Sequence, residues 1–386
     1  MSENWNLAKE IMAKIKRDKT DAAKLAELQR EFDRDYGKGS VIIENGGNVV
    51  RLVKEATKSV GGREEHILGV PGLTETFLAV GENLYQQGKD LGRGGFGAVF
   101  TVIDEDSNRF AIKEEKLRVL PTVEAQSKLT DEASFLAERG ELHGQQYGSQ
   151  HLFTVMTYYP GINLANISTK LKPSAVDGTT SNVNALGLAI NKLDERLDES
   201  SKGKYRAAAV RAHQLGYHTE GKLDVEEAKA DGFMKDDIEI LEEIEKERKK
   251  IVEERAYSET DKINFATLAL DELHHFFEAG NIHRDIKGAN FVAWINPDGS
   301  YAVKLVDFGQ SIKLEPDEIS REEPLPSGTP GYWAPEVERS LSMEQHQIFA
   351  PEGARRRPAD FVVGASVFSR QSDIFSFAKF CTKDLK

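Results

Sequence analysis

The sequence predicts an α+β chain: a β-rich stretch followed by a mainly helical one, with a largely helical N-terminal extension over residues 1–80 and a helical insertion over residues 163–260. Three observations predict it. β-Branched and aromatic runs bounded by turn residues fall at residues 98–103, 110–113, 151–159, 291–295 and 301–306. Apolar residues recurring at steps of three and four among mixed acids and bases mark helices near both the start and the middle of the chain. At 386 residues the chain is long enough for two or three units, at about 150 residues each.

Composition narrows the function classes. An apolar fraction of 39% supports a sizeable core, and 30% charged residues imply a well-solvated surface. A net charge of -13 disfavours a broad nucleic-acid or anionic-membrane surface, because binding there depends on clustered Lys and Arg. The single cysteine, Cys381, excludes an internal disulfide and fits a reducing compartment; it reads as a small packing residue. No apolar run of about 18 residues spans a bilayer, and Met1 to Lys16 lacks the apolar core of a signal peptide. A cytoplasmic protein with no membrane span is expected.

Trp5 to Phe32 reads as two amphipathic helices, the second opened by Thr20 and Asp21 and closed before Gly37, with Leu25, Leu28 and Phe32 on one face. A β-branched run follows at Ser40 to Ile43, and Asn48 is expected to cap a helix through Lys58. Between Tyr85 and Lys113, glycines at 92, 94 and 97, with Gly95 and Phe96 between them, precede Ala98 to Ile103 and Phe110 to Lys113. Such glycines let a backbone approach phosphate oxygens. A dinucleotide-binding fold would open a helix after them; a β-branched run here argues a hairpin instead.

After the strand at His151 to Pro160, residues 174–181 form a Ser/Thr/Gly-rich linker, and residues 183–197, 205–215 and 236–255 carry helical patterns. Packing against the large helical part is the main reading of this insertion, and a partner-binding arm the second. A free coiled coil has too few heptads. Asp261 to Ala279 is a long helix with Ile263, Phe265, Leu268, Leu270, Leu273, Phe276 and Phe277, ended by Gly280. His274 and His275 on it lack partners at ligand spacing and read as structural. Two strands follow, Phe291 to Ile295 and Tyr301 to Val306, around Pro297-Asp298-Gly299.

The chemistry-bearing stretch is Ile282 to Asn290, which puts an acid, two cations and an amide in one loop. A hydroxyl attacking a phosphoryl group needs a carboxylate to take its proton, a cation near the phosphate and an oxygen ligand for a metal; Asp285, Lys287 and Asn290 supply these. The run matches the pattern H-R-D-x-x-x-x-N, and the ordered set Gly92 to Gly97, Ala111-Ile112-Lys113, Asp307-Phe308-Gly309 and Ser327 to Glu336 surrounds it. Together these motifs resemble a eukaryotic-type protein kinase of the serine/threonine branch, over roughly residues 81–377.

That resemblance implies a bilobal fold and the use of ATP and Mg2+. It implies Asp285 as base, Lys287 near the phosphate, Asn290 and Asp307 on the metal, and Lys113 on the α/β-phosphates. Lys113 needs a carboxylate partner, for which Glu124, Glu132, Glu138 and Glu141 are candidates; Glu132 is preferred because it sets Leu136 inward one turn later. The resemblance makes Met156 a gatekeeper, brings the backbones of Thr157 and Tyr159 to adenine, and has Val99, Ala111 and Val292 line the nucleotide. Thr329 would bridge Asp285 and Lys287, and Asp373 would anchor the catalytic loop. Ser311, Ser320 and Ser327 are phosphorylation candidates that would pair with Arg284; Glu315, Asp317, Glu318, Glu322 and Glu323 would otherwise stand in for that phosphate, or the loop is merely solvated.

The chain departs from the family at residues 163–260, by about two dozen extra residues before Ser372, and by a C-terminal part expected to be truncated, with no arginine to pair with Glu336. Arg355, Arg356 and Arg357 read as a solvated loop or a phosphate contact. The style of insertion is similar to that of secreted bacterial effector kinases, which would place the chain in a host cytosol. A protein substrate is expected. A nucleotide-binding scaffold that recruits a partner through its helices, and a kinase fold acting on a lipid or small molecule, are the alternative readings.

Overall fold

A computed structural model of the chain describes residues 3–60, 63–94, 97–117, 132–168, 170–172, 185–196, 203–214, 218–219, 222–223, 225–230, 235–296, 298–323, 327–338 and 366–385. The chain divides into two units, Met1–Tyr158 and Tyr159–Lys386. The class is α+β, as expected. The expectations that fall on Glu124, Gly95, Phe96, residues 174–181 and Arg355 to Arg357 lie outside the described residues.

In the first unit, α1 (Glu3–Asp18) buries Trp5, Ala8, Ile11, Met12 and Ile15, one helical stripe. Helix α2 (Ala22–Tyr36) starts where the Asp21 carboxylate accepts from the N–H groups of Ala23 and Lys24 at 3.0 and 3.1 Å, and ends at Gly37, whose φ of 90° suits glycine. Leu25, Leu28 and Phe32 join the α1 stripe in a core with Val41, Val50, Leu52 and Phe77.

The strands are β1 (Val41–Glu44), β2 (Val49–Leu52), β3 (Ala56–Val60), β4 (Arg63–Leu68), β5 (Phe77–Val80), β6 (Asn83–Gly94), β7 (Gly97–Ile103) and β8 (Arg109–Lys116). Helix α3, described over residues 132–138, comes next, then β9 (Leu142–Tyr147) and β10 (His151–Thr157). Eight of these strands form one sheet in the order β1-β2-β5-β6-β7-β8-β10-β9, while β3 and β4 pair separately.

Two expectations are corrected here. The helix expected from Asn48 through Lys58 is instead β2 and the start of β3. Val49 and Val50 pair with Val80 and Ala79 of β5 on one side and with Glu44 and Ile43 of β1 on the other. Neighbouring strands to pair with outweigh a local capping residue. The α-helices of the extension over residues 1–80 therefore end at Tyr36, and its strands β1, β2 and β5 continue the sheet that carries the glycine hairpin.

The second unit opens with β11 (Ile162–Asn163), followed by α4 (Ala185–Asp194), α5 (Lys204–Gln214), a small hairpin of β12 (His218–Thr219) and β13 (Lys222–Leu223), α6 (Val225–Ala230) and α7 (Lys235–Arg255). These helices share a core of their own, including Leu186, Leu193, Ala208, Leu241, Ile244 and Ile251. Helix α8 (Glu259–Glu278) begins with a reciprocal capping box between Ser258 and Asp261. It buries Phe265, Leu273, Phe276 and Phe277, but Ile263 and Leu270, expected on the same apolar face, are exposed.

Beyond α8 come β14 (Asn281–Ile282), β15 (Phe291–Ile295), β16 (Tyr301–Leu305), β17 (Ile312–Lys313), β18 (Ser320–Glu323), α9 (Pro335–Glu338), β19 (Ser366–Ser369) and α10 (Arg370–Lys383). The β15–β16 hairpin and the β14–β17 pair fix both ends of the stretch from Asn281 to Lys313. Among the described residues no helix is long and apolar enough to cross a membrane.

Candidate active site

In the first unit Lys113 lies on β8 opposite Val99 of β7 and Thr154 of β10. Its ammonium donates to both oxygens of Glu132, at 2.8 and 2.9 Å, and lies 3.2 Å from Glu115, a second carboxylate that the sequence reading missed. Glu132 lies in helix α3, and Leu136 one turn later is buried. Glu132, the preferred candidate, is thus in contact with the lysine, while Glu124 lies outside the described residues. Both side chains are largely withdrawn from water, so the pair is a charge-assisted clamp rather than a surface ion pair.

The glycine hairpin pairs Gly92 with Val99, Arg93 with Ala98 and Gly94 with Gly97. Gly97 packs so closely on β8 that a Cβ there would lie 2.0 Å from the Glu114 carbonyl oxygen, so no other residue fits without shifting the strands. Ala111 pairs with Met156 on β10, and the N–H of Thr157 donates to the Glu141 carbonyl at 3.0 Å. In the second unit Tyr159 stacks on Trp294, centroids 5.7 Å apart, and Val292 lies half-buried on β15 opposite Lys304.

The catalytic-loop residues gather in the second unit. Lys287 donates to Asp285 Oδ2 at 2.7 Å and to Thr329 Oγ1 at 2.8 Å, and the Thr329 hydroxyl donates to Asp285 Oδ1 at 2.6 Å. Asn290 Nδ2 donates to the Asp285 carbonyl at 2.7 Å and to its carboxylate at 3.3 Å. With its nitrogen so engaged, the amide presents its oxygen as the remaining ligand. The Asn290 carbonyl accepts from the N–H of Val306 at 2.9 Å, next to Asp307, whose side chain is exposed. An amide oxygen and an exposed carboxylate on adjoining backbone are the hard donors a Mg2+ ion takes. The residues present therefore fit the metal that the motif implies.

Arg284 and Asp307 hold φ angles of 67° and 64°, unusual for residues with side chains. Each such angle costs about 1–3 kcal/mol and persists only where neighbours enforce it. For Arg284 the enforcer is Asp373 on α10, whose carboxylate accepts from the N–H groups of His283 and Arg284 at 2.6 and 2.9 Å. Burial pushes the Asp373 carboxyl up to about 7, against the pull of those two donors and of Arg284. His283 is fully buried between Phe276 and Phe308, which holds its imidazole below the usual range despite Asp285 and Asp307 nearby. A neutral ring fits its contacts: one nitrogen accepts from the N–H of Asp285 at 3.4 Å, the other donates to the Val306 carbonyl at 3.3 Å.

The segment from Ser327 to Glu336, which the kinase resemblance makes the docking segment for substrate, lies directly on this loop. Gly328, at φ 93°, is so close that a Cβ would meet the Arg284 carbonyl oxygen at 2.2 Å. Ser327 bonds to the Gln310 side chain, and Trp333 Nε1 donates to the Ser327 carbonyl at 2.8 Å. Asp384, at the end of α10, was missed by sequence reasoning. It accepts from the Tyr332 hydroxyl at 2.8 Å and from the Gly288 N–H at 3.0 Å, bridging docking segment and catalytic loop. No motif marks it; Tyr332 inside the quoted motif was the only available pointer. Ser311 is buried, while Ser320 sits half-buried on β18. Among the described residues no cluster of His, Cys, Asp and Glu forms a further metal site.

Residues 231–348 match the family model for the protein kinase domain. Over that stretch the chain is similar to eukaryotic-type protein kinases. It is 35% identical over 88 residues to calcium/calmodulin-dependent protein kinase type 1 of Macrobrachium nipponense, covering 23% of this chain and 24% of that one. It is 37% identical over 87 residues to the type II alpha chain of Drosophila melanogaster, covering 22% and 16%, and 34% identical over 93 residues to the human type IV kinase, covering 24% and 19%. The chain thus matches no more than about a quarter of the length of these relatives.

Proposed function

We propose that the chain is a protein kinase that transfers the γ-phosphoryl group of ATP to Ser or Thr hydroxyls of a protein substrate, Asp285 acting as base. The observation that carries this reading is the triangle of Asp285, Lys287 and Thr329, each within 2.6–2.8 Å of the next. In the proposed step the substrate oxygen bonds to the γ-phosphorus, its proton passes to the Asp285 carboxylate, and the bond from the γ-phosphorus to the bridging oxygen breaks to release ADP. Lys287 stands where it steadies negative charge on the moving group, and Thr329 holds both partners in one arrangement. Asn290 and Asp307 would hold Mg2+, which when bound supplies positive charge to the β- and γ-phosphate oxygens. Lys113, clamped by Glu132, would contact the α- and β-phosphates. The glycine hairpin of Gly92, Gly94 and Gly97 would cover them, and Val99, Ala111, Met156, Thr157, Tyr159 and Val292 would surround the base.

Serine/threonine specificity is supported by the position of Thr329 in the docking segment and by the named kinases the chain resembles. The test is transfer of radiolabelled phosphate from ATP with Mg2+ to a panel of proteins, wild type beside Asp285→Ala, followed by identification of the phosphorylated amino acid. Phosphoserine or phosphothreonine made by wild type alone is expected. Equal background from both proteins would overturn the reading in favour of a nucleotide-binding scaffold.

A further inference from the structure

The short run from Ser366 to Asp373, which follows the chain's second departure from the family spacing, holds Arg284 twice. Its end, Asp373, takes the Arg284 N–H at 2.9 Å. Its strand, β19, pairs antiparallel with β18 in the loop after Asp307, setting Phe368 opposite Arg321 and Ser366 opposite Glu323. The buried Phe368 ring lies against the Arg284 guanidinium, 5.1 Å from centroid to Cζ. The same guanidinium donates to the Gln310 carbonyl at 2.5 Å and pairs with Glu323 at 3.4 Å.

A cation this deeply buried is costly unless charge and hydrogen bonds compensate it. Here a carboxylate, a carbonyl and an aromatic face meet it at once. The β18–β19 pairing also ties the loop's backbone. A phosphate on Ser320 would arrive on the strand that already carries Glu322 and Glu323, where like charge opposes it.

We propose that Glu323 and Phe368 are positioning residues that hold Arg284, and through it the catalytic loop, in the arrangement other chains obtain from a loop phosphate, so that this chain transfers phosphate with an unphosphorylated loop. The inference rests on the kinase reading and gives its site a mode of regulation: constitutive assembly by the chain's own strand.

The full chain is stripped with a broad-specificity protein phosphatase, its unphosphorylated mass is verified, and transfer to casein is measured at once. Wild type is expected to keep its initial rate within about twofold, since no charge it needs has been removed. Glu323→Gln is expected to lose about tenfold in kcat, with KM for ATP little changed, because only the charged contact is lost. Glu323→Asp, which keeps the charge, is expected to retain most of the rate, and Phe368→Leu to fall with Glu323→Gln. Tryptic cleavage after Arg321 gives a readout independent of activity: slow in stripped wild type, about tenfold faster in Glu323→Gln if the pairing orders the loop. Loss of wild-type activity and fast cleavage on phosphatase treatment would overturn the inference while leaving the kinase reading intact. So would wild-type kcat and cleavage in both Glu323→Gln and Phe368→Leu. Inactivity of the wild type with and without phosphate would overturn the kinase reading and this inference together.

Discussion

Replacing Thr329 by Val removes one hydroxyl and almost no volume, which makes it the sharpest probe of the catalytic triangle. That hydroxyl donates to Asp285 at 2.6 Å and accepts from Lys287 at 2.8 Å, and both partners are charged. Hydrogen bonds to charged groups contribute about 1.5–3 kcal/mol each. The full sum does not apply, because Lys287 and Asp285 keep their own 2.7 Å contact and the lysine is 22% exposed, so water takes up part of the loss. A net of about 2 kcal/mol is left for holding acid and cation in register, which corresponds to about 30-fold in kcat. The assay is steady-state phosphate transfer with ATP and protein substrate varied separately. KM for ATP is expected to stay constant, since the lost contacts do not touch the clamp of Lys113 and Glu132. Thr329→Ser, which keeps the hydroxyl, should remain within a few-fold of wild type. A Thr329→Val protein with wild-type kcat, or a Thr329→Ser protein as impaired as Thr329→Val, would refute the reasoning.

Two further outcomes follow from other contacts. Burial alone would raise the Asp261 carboxyl, yet Lys172 at 2.6 Å, Ser258 and Tyr301 outweigh it and hold it at about 2 against an ordinary 3.8. A lowered carboxylate stabilises the fold above its unfolded value and loses that contribution as pH falls toward its folded value. The 1.8-unit gap is worth about 2.4 kcal/mol at pH 7 and about half that at pH 3. Urea unfolding should therefore show Asp261→Asn less stable by about 2 kcal/mol at pH 7, with the difference closing as pH approaches 2; a pH-independent difference would contradict this. Tyr332→Phe removes only the docking-segment half of the Asp384 bridge and should raise KM for protein substrate with kcat nearly kept. Asp384→Ala also frees the Gly288 N–H and should lower kcat as well, so identical kinetics for the two variants would exclude the bridge.

The sequence made the motif-borne part of the site legible because each piece is local. The Asp285, Lys287 and Asn290 spacing lies within a single loop, and the choice of Glu132 combined helical spacing with the inward position that the kinase resemblance implies for Leu136. What stayed hidden depends on partners far away in the chain. Val49 and Val50 favour a strand, but the pair is too short to outweigh the capping signal of Asn48 until β1 and β5 lie beside it. Ile263 and Leu270 follow a helical period, yet both stand exposed on α8. Phe368, Glu115 and Asp384 carry no motif, and only the folded backbone brings the first and last to the catalytic loop and the second to Lys113. Glu323 was visible as one acid among five; its distinction from the others is a matter of strand register.

The first sheet also has a consequence for how this chain is cut. Gln29 of α2 behaves like an extra rung beside β1, its side chain donating to the Val41 carbonyl at 2.7 Å and accepting from the Ile43 N–H at 3.1 Å. A recombinant piece begun at residue 81, just before β6, would discard this rung with β1, β2 and β5 and leave β6 with a raw flank of unpaired amides and carbonyls. Such flanks recruit other chains, so insolubility of that piece would reflect a missing hem on the sheet rather than a faulty catalytic centre.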